Sequence, residues 1–145
     1  MEPQKIRCEH CGRVNRIPPV GEGRPTCGQC HRPIPWIVEA GDADFAEVAE
    51  KSSLVVLADL WAPWCGPCRM VSPALEKVAK EHAGRLKLVK VNVDAAPKTS
   101  QRFTVQAVPT LLMLDKGRVI ARQAGALPEQ ALREWVEQGI GASAS

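Results

Sequence analysis

Residues 59–68 read Asp-Leu-Trp-Ala-Pro-Trp-Cys-Gly-Pro-Cys and contain two cysteines, Cys65 and Cys68, with two residues between them. The apolar run Leu54–Ala58 ahead of them predicts a strand that is covered on both faces. Apolar residues after them, from Met70 to Ala79, recur at helical spacing. The two cysteines are therefore expected where a strand ends and a helix begins, with Cys65 exposed and Cys68 one turn deeper.

This placement predicts redox chemistry. Free backbone N–H groups and the positive end of the helix dipole stabilise a thiolate at a helix N-terminus. We expect the Cys65 thiolate to attack a disulfide and Cys68 to resolve the mixed disulfide. Pro67 suits a first helical turn, since it has no N–H to lose. Half of a metal site is the alternative, and the absence of a nearby partner pair disfavours it.

Two charged residues are candidates for moving the proton. Asp59 interrupts an apolar strand, and burial there would raise its pKa towards neutrality and suit it to deprotonate Cys68. Lys90, between Val89 and Val91, is a candidate to tune Asp59 from the next strand. The alternatives are a solvated edge position for Asp59 and a surface strand end for Lys90.

The rest of the pattern predicts an α/β domain, a mixed central sheet with helices on both faces, in the order β-α-β-α-β-α-β-β-α. A capping box at Asp44-x-x-Glu47 predicts the first helix, and Pro97 and Pro128 open the last two. Residues 141–145 are expected to fray. The other strands are predicted at Trp36–Val38, Leu86–Val93, Thr110–Leu114 and Val119–Ala121, the last two joined by a turn at Asp115–Arg118.

The stretch 59–68 resembles the active-site region of thioredoxins, and the resemblance covers about residues 35–139, including Lys90–Asp94, Val108-Pro109-Thr110 and Gly125-Ala126. It implies the thioredoxin fold and reduction of protein disulfides. It also implies a cis peptide bond before Pro109, facing the disulfide, where an ordinary trans loop proline is the alternative. The Val108 backbone would pair with an extended substrate chain. The substrate-binding residues so implied are Trp64, Gly66, Pro67, Val108, Pro109 and Gly125.

Residues 1–33 differ from the rest and contain four cysteines in the spacing C-x₂-C-x₁₅-C-x₂-C, which is typical of zinc sites. Four thiolates predict one structural Zn²⁺ that supplies much of the folding energy of this segment. Two disulfides or an iron site are the alternatives, and His10 or His31 could replace one ligand. The predicted metal ligands are Cys8, Cys11, Cys27 and Cys30.

We divide the chain into a zinc-ribbon-like segment at 1–33, a thioredoxin domain at 34–140 and the tail at 141–145. A zinc ribbon ahead of a thioredoxin domain resembles the zinc-containing thioredoxin-2 group of bacteria. That resemblance implies re-reduction by thioredoxin reductase with electrons from NADPH. It also implies cytosolic protein substrates with reducible disulfides, no bound organic cofactor, and zinc release on oxidation as a hypothesis.

The charge pattern argues against a nucleic-acid partner. The net charge is +3, and all of the excess positive charge lies in residues 1–33. This excess is too small for a nucleic-acid-binding surface, and the segment has no aromatic residue for stacking on bases. No stretch is apolar enough to span a membrane, and residues 1–8 lack the apolar region of a secretory signal. We therefore expect a cytoplasmic monomer with no membrane partner.

Two other functions stay open from the sequence. One is a redox-regulated binding module that uses the basic ribbon. The other is a disulfide oxidase or isomerase, although Gly66-Pro67 between the cysteines resembles the reducing members of the family.

Overall fold

The N-terminal segment contains a small antiparallel hairpin. The structure is a computed structural model that describes residues 3–21 and 23–144. Strand β1 (Gln4–Arg7) pairs with β2 (Val14–Ile17), and the loop between them carries the first cysteine pair. In that loop the Gly12 N–H donates to the Cys8 carbonyl at 2.9 Å. The sequence pattern had indicated no strand here, because four-residue strands are too short to show a clear alternation.

The larger part of the chain is built on a five-stranded mixed sheet, which confirms the predicted fold class. In spatial order the strands are β3 (Trp36–Glu39), β5 (Leu86–Asn92), β4 (Val55–Trp61), β6 (Thr110–Asp115) and β7 (Arg118–Ala124). Strands β3, β5 and β4 run parallel, while β6 is antiparallel to β4 and β7 is antiparallel to β6.

Helices cover both faces of this sheet. Helices α1 (Gly66–Glu81) and α3 (Glu129–Ala144) pack on one face, where Leu75 and Leu132 are fully buried. The other face is covered by a π-helical turn at Ala46–Glu50, by residues around α2 (Pro97–Arg102) and by the N-terminal segment. Ile17 and Cys27 of that segment belong to the same buried cluster as Val56 and Leu112 of the sheet. The segment therefore shares a hydrophobic core with the sheet.

The predicted capping box at Asp44 is wrong. The Asp44 carboxylate accepts from the Gly41 N–H at 2.7 Å, so it closes the turn ahead of the helix. The helix itself is one π-helical turn, in which the Lys51 N–H donates to the Ala46 carbonyl five residues back. Phe45 and Val48 are nevertheless buried, as the spacing predicted.

The predicted hairpin at Asp115–Arg118 is present between β6 and β7. Its two central residues, Lys116 and Gly117, both have positive φ, 51° and 86°, as a two-residue type I′ turn requires. A side chain at Gly117 would also crowd the backbone carbonyl of Glu50, 3.3 Å from a Cβ built there.

Helix α3 continues through Ala144, which corrects the expectation of a frayed tail from Gly141. Gly139 lets the helix approach the sheet so closely that a Cβ there would lie 2.8 Å from Met113 Cε, and Ile140 packs against the same core. This packing carries the helix beyond Gly141, and the good helix former Ala142 extends it. Ser145 lies outside the described residues.

Among residues 3–21 and 23–144, no helix combines the length and the apolar character that crossing a bilayer needs.

Candidate active site and metal centre

Cys65 and Cys68 form a disulfide at the N-terminus of α1. Cys65 is the N-cap residue, with extended φ and ψ of −87° and 111°, and its sulfur accepts from the Cys68 N–H at 3.1 Å. Pro67 lies in the first turn, where a missing N–H costs no hydrogen bond. The strand, the cap and the helix therefore place the pair as the sequence predicted.

Cys65 is less exposed than expected. Only 4% of its surface is accessible in the disulfide form, and Trp61, Val93 and Val108 pack around the pair. The prediction of an exposed first cysteine is therefore wrong for this state, because the loop around Val108 covers the sulfur, a long-range contact that no local pattern encodes.

The loop at Val108 and Pro109 lies directly against the disulfide. The Val108–Pro109 peptide bond is cis, as the resemblance implied, and the Val108 carbonyl oxygen is 3.5 Å from Cys65 Sγ. The Gly125 N–H donates to the Pro109 carbonyl at 2.8 Å. The structure thus brings four of the predicted residues, Cys65, Val108, Pro109 and Gly125, to one place from three elements distant in sequence.

Two large side chains near the N-terminus of α1 are exposed. Trp64 is 68% exposed, and its indole N–H donates to Asp94 Oδ2 at 3.0 Å, which fixes the ring beside Cys65. Met70 is 81% exposed, although its helical spacing had placed it with the buried face of α1. Met70 lies one residue before the buried Val71, so spacing alone could not separate the two. With Pro67 and Leu127 it lines an open apolar depression of about 550 Å³.

Asp59 is buried in β4, the strand that leads to Cys65. Only 2% of its surface is accessible, and its Oδ1 atom has no hydrogen-bond partner among the described residues. Burial raises the pKa of Asp59 to about 6, although the positive charge of Lys90 opposes the shift. A carboxyl group with this pKa exchanges a proton near neutral pH, which fits the predicted base. The solvated-edge alternative is excluded by its burial.

Lys90 is the direct register partner of Asp59 on the neighbouring parallel strand, so both side chains point to the face that carries α1. The Lys90 ammonium donates to Glu76 Oε1 at 2.7 Å and to Ser72 Oγ at 3.3 Å. Sequence reasoning missed both of these partners. The sequence feature that could have identified them is a pair of polar residues, four positions apart, on the inward side of α1.

The four N-terminal cysteines form one compact cluster. Their sulfur atoms all lie within 4.8 Å of one another, with Cys8 to Cys30 at 3.6 Å and Cys11 to Cys27 at 3.5 Å. Zinc–sulfur bonds of about 2.3 Å in a tetrahedron give sulfur–sulfur edges of about 3.8 Å. The cluster therefore has the size of an S₄ metal site. These separations far exceed a disulfide bond of about 2.05 Å, and all four thiols are free.

Backbone donors surround the two buried sulfurs. The Cys30 and Gln29 N–H groups lower the pKa of Cys27 to about 5, and the Cys11 and His10 N–H groups lower the pKa of Cys8. Such donors favour the thiolate form that a metal requires.

Neither histidine considered as a substitute ligand joins the cluster. His10 Nδ1 lies 2.6 Å from the Arg32 guanidinium instead. Among the described residues, the candidate metal ligands here are the four cysteines alone.

The thioredoxin family model matches residues 36–138, which contain the disulfide, Asp59, Lys90 and the cis proline. The chain belongs to the thioredoxin family. Thioredoxin of Bacillus subtilis is 46% identical to it over 104 residues, covering 72% of this chain and 98% of that protein. Thioredoxin of Haemophilus influenzae is 45% identical over 104 residues, again 72% of this chain and 97% of the relative.

A third relative aligns with most of the chain. Thioredoxin C-3 of Corynebacterium nephridii is 38% identical over 138 residues, which is 93% of this chain and 94% of that protein. An alignment of this length extends beyond the thioredoxin domain into the N-terminal segment. The similarity to at least one thioredoxin is therefore not confined to the thioredoxin domain.

Proposed function

We propose that this thioredoxin is a general reductant of protein disulfides that works through Cys65 and Cys68. The observation that carries the proposal is the disulfide at the N-terminus of α1, 3.5 Å from the carbonyl oxygen of Val108. It lies within the region that belongs to the thioredoxin family.

In the first step the Cys65 thiolate attacks one sulfur of a substrate disulfide. The Cys65–substrate bond forms, the substrate S–S bond breaks, and the second substrate sulfur leaves as a thiolate. The N–H of Cys68, which points at the Cys65 sulfur at 3.1 Å in the oxidised form, stabilises negative charge on that sulfur.

In the second step Cys68 attacks Cys65 and releases the substrate as a dithiol. Cys68 must lose its proton to attack, and Asp59 is the proposed acceptor because it is buried, unpaired at Oδ1 and has a pKa of about 6. Two electrons pass to the substrate, and the 65–68 disulfide forms. Lys90 acts on Asp59 through its positive charge.

The proposed docking surface surrounds Cys65. An extended substrate segment would run past the cis Val108–Pro109 bond and use the Val108 backbone as its hydrogen-bond partner. The other proposed contacts are Trp64, Gly66, Pro67 and Gly125. Trp64 supports this role through its exposure, since an exposed aromatic ring supplies apolar contact area to a partner.

The proposed metal is one structural Zn²⁺ held by Cys8, Cys11, Cys27 and Cys30. The size of the cluster fits four sulfur ligands, and backbone donors favour the thiolate form at Cys8 and Cys27. Zinc bound there would link the two loops of the N-terminal segment. With no free coordination position, it would stabilise structure and take no part in the redox steps.

The proposed electron donor is thioredoxin reductase, and the proposed substrates are cytosolic proteins with reducible disulfides. Four free cysteines in one cluster fit a reducing compartment such as the cytoplasm. No organic cofactor is needed, because the electrons are carried by the cysteine pair.

Reduction of insulin disulfides in the presence of a dithiol tests the proposed function. The wild type should accelerate precipitation of the insulin B chain, and Cys65→Ser should reduce the rate to the uncatalysed level. Lys77→Met serves as the control, because it removes an exposed ion pair with Glu129 and leaves all the cysteines in place. Equal turnover by Cys65→Ser and the wild type would contradict the proposal. A redox equilibrium with glutathione that strongly favours the dithiol form would favour an oxidase instead.

A further inference from the structure

We propose that Glu76, assisted by Ser72, is a positioning residue for the redox reaction, because it holds the Lys90 ammonium away from Asp59. The inference rests on the proposed function, in which Asp59 accepts the proton of Cys68. It adds a side chain of α1 to the two strand residues and explains why Asp59 keeps an unpaired oxygen.

The Lys90 ammonium binds side chains of α1 and forms no ion pair with Asp59. Asp59 and Lys90 are register partners on adjacent parallel strands, where an ion pair would be expected. Lys90 instead donates to Glu76 at 2.7 Å and to Ser72 at 3.3 Å, and these two residues stand one helical turn apart on α1. Asp59 Oδ1 meanwhile is buried without a partner.

The position of the Lys90 ammonium determines the pKa of Asp59. A direct ion pair with an ammonium group stabilises a carboxylate and lowers its pKa by about one to three units. An Asp59 paired with Lys90 would be a weak base at neutral pH. With Lys90 drawn towards Glu76, desolvation dominates and Asp59 keeps a pKa of about 6.

Other charged groups near Lys90 could also influence the position of its ammonium group. Glu39 is the register neighbour of Lys90 on β3, and Lys5, Arg7 and Lys80 line the same cavity of about 410 Å³ between β1 and α1. Among Glu76 and these other charged groups, Glu76 alone forms a hydrogen bond with Lys90 in the described structure. We therefore expect Glu76, and not Glu39, to determine where the ammonium lies.

The test is the titration of the Asp59 carboxyl carbon by carbon-13 NMR in the oxidised full-length protein, where Cys65 and Cys68 have no proton to lose. Glu76→Ala should lower the titration midpoint by about one pH unit, because Lys90 then turns to Asp59. The Glu76 side chain is 43% exposed and is not part of the buried core, so the variant should fold. Glu81→Ala is the matched control, since it removes an ion pair with Arg133 from the same helix and should leave the midpoint unchanged.

Repeating the substitution in a Lys90→Met protein separates the positioning of Lys90 from a direct effect of the Glu76 charge on Asp59. In Lys90→Met, the further change Glu76→Ala should cause no additional lowering. An unchanged midpoint in Glu76→Ala, or an equal shift in the Lys90→Met background, would overturn the inference.

Kinetics then distinguish this inference from the proposed function. The substrate-release rate at neutral pH should fall about threefold in Glu76→Ala, since the proton acceptor is a weaker base. A shifted midpoint with an unchanged release rate would support the positioning by Glu76 and would contradict the base role of Asp59.

Discussion

Lys87 and Pro19 join the two parts of the molecule, with the Lys87 ammonium donating to the Pro19 carbonyl oxygen at 2.6 Å. The same ammonium donates to the Val48 carbonyl at 2.6 Å and lies 4.0 Å from the centre of the Trp36 ring. The Trp36 indole N–H donates to the neighbouring Pro18 carbonyl at 3.0 Å. The N-terminal segment is thus attached to the sheet by buried polar contacts as well as by the shared core.

Replacement of this lysine should destabilise the protein. In Lys87→Met the Pro19 and Val48 carbonyls lose their donor, and each buried carbonyl without a partner costs about 1–3 kcal/mol. The free energy of unfolding, measured by urea denaturation, should fall accordingly. Lys77→Met is the control, because Lys77 forms an exposed ion pair with Glu129. Equal effects of the two substitutions would refute the structural role of Lys87.

The stabilising effect of Lys87 should depend on pH in a defined direction. Burial lowers the pKa of Lys87 from 10.5 to about 8, so between these values the unfolded chain binds more protons than the folded one. The free energy of unfolding of the wild type should therefore rise between about pH 8 and pH 10.5, relative to Lys87→Met. Denaturation curves of both proteins across this range measure the difference. A difference that stays constant with pH would show that Lys87 titrates normally.

The buried carboxylate of Asp59 should lower the free energy of unfolding at neutral pH. Its pKa is raised from 3.8 to about 6, so the folded protein loses stability as the pH rises from 3.8 through about 6. Asp59→Asn should be more stable than the wild type at pH 7, by up to about 3 kcal/mol, and equally stable near pH 3. Urea denaturation of the oxidised proteins at both pH values measures this. A variant less stable than the wild type at pH 7 would contradict the burial of an uncompensated charge.

Metal should bind to the N-terminal cluster and not to the redox pair. The double variant Cys65→Ser, Cys68→Ser should retain one zinc per chain by elemental analysis, whereas Cys27→Ser should lose it because only three ligands remain. Chelation should expose the segment 3–33 to protease while the thioredoxin domain stays resistant. Full zinc content in Cys27→Ser would exclude the four-cysteine site.

The thioredoxin domain could be predicted well because its elements carry strong local signals. The buried run before Asp59 and the helical spacing after Cys68 each indicate one element, and two residues with turn propensity indicate the hairpin at Lys116. The N-terminal hairpin was missed, since its two short strands are held by long-range contacts around the cysteines. The capping function of Asp44 was mispredicted, because its carboxylate accepts the Gly41 N–H in the turn before the helix.

The residues of the site were predicted less completely than the fold. The cysteines and Asp59 stand out by spacing and by an interrupted apolar run. The role of Glu76 was not visible, because it depends on which of two carboxylates a long lysine side chain reaches across α1 and the sheet. Lys87 gave a weak signal as a charged residue in an apolar strand, but its acceptors Pro19 and Val48 lie 68 and 39 residues away.

Trapping of mixed disulfides tests most directly whether Cys65 attacks and Cys68 resolves. Cys68→Ser, reduced and mixed with a substrate protein that carries one disulfide, should accumulate a covalent adduct through Cys65, identified by peptide mass spectrometry. Cys65→Ser under the same conditions should form little adduct, because Cys65 is the N-cap of α1, where the Cys68 N–H stabilises a thiolate. Equal trapping by both variants, or an adduct through Cys68 alone, would contradict the assigned order of attack.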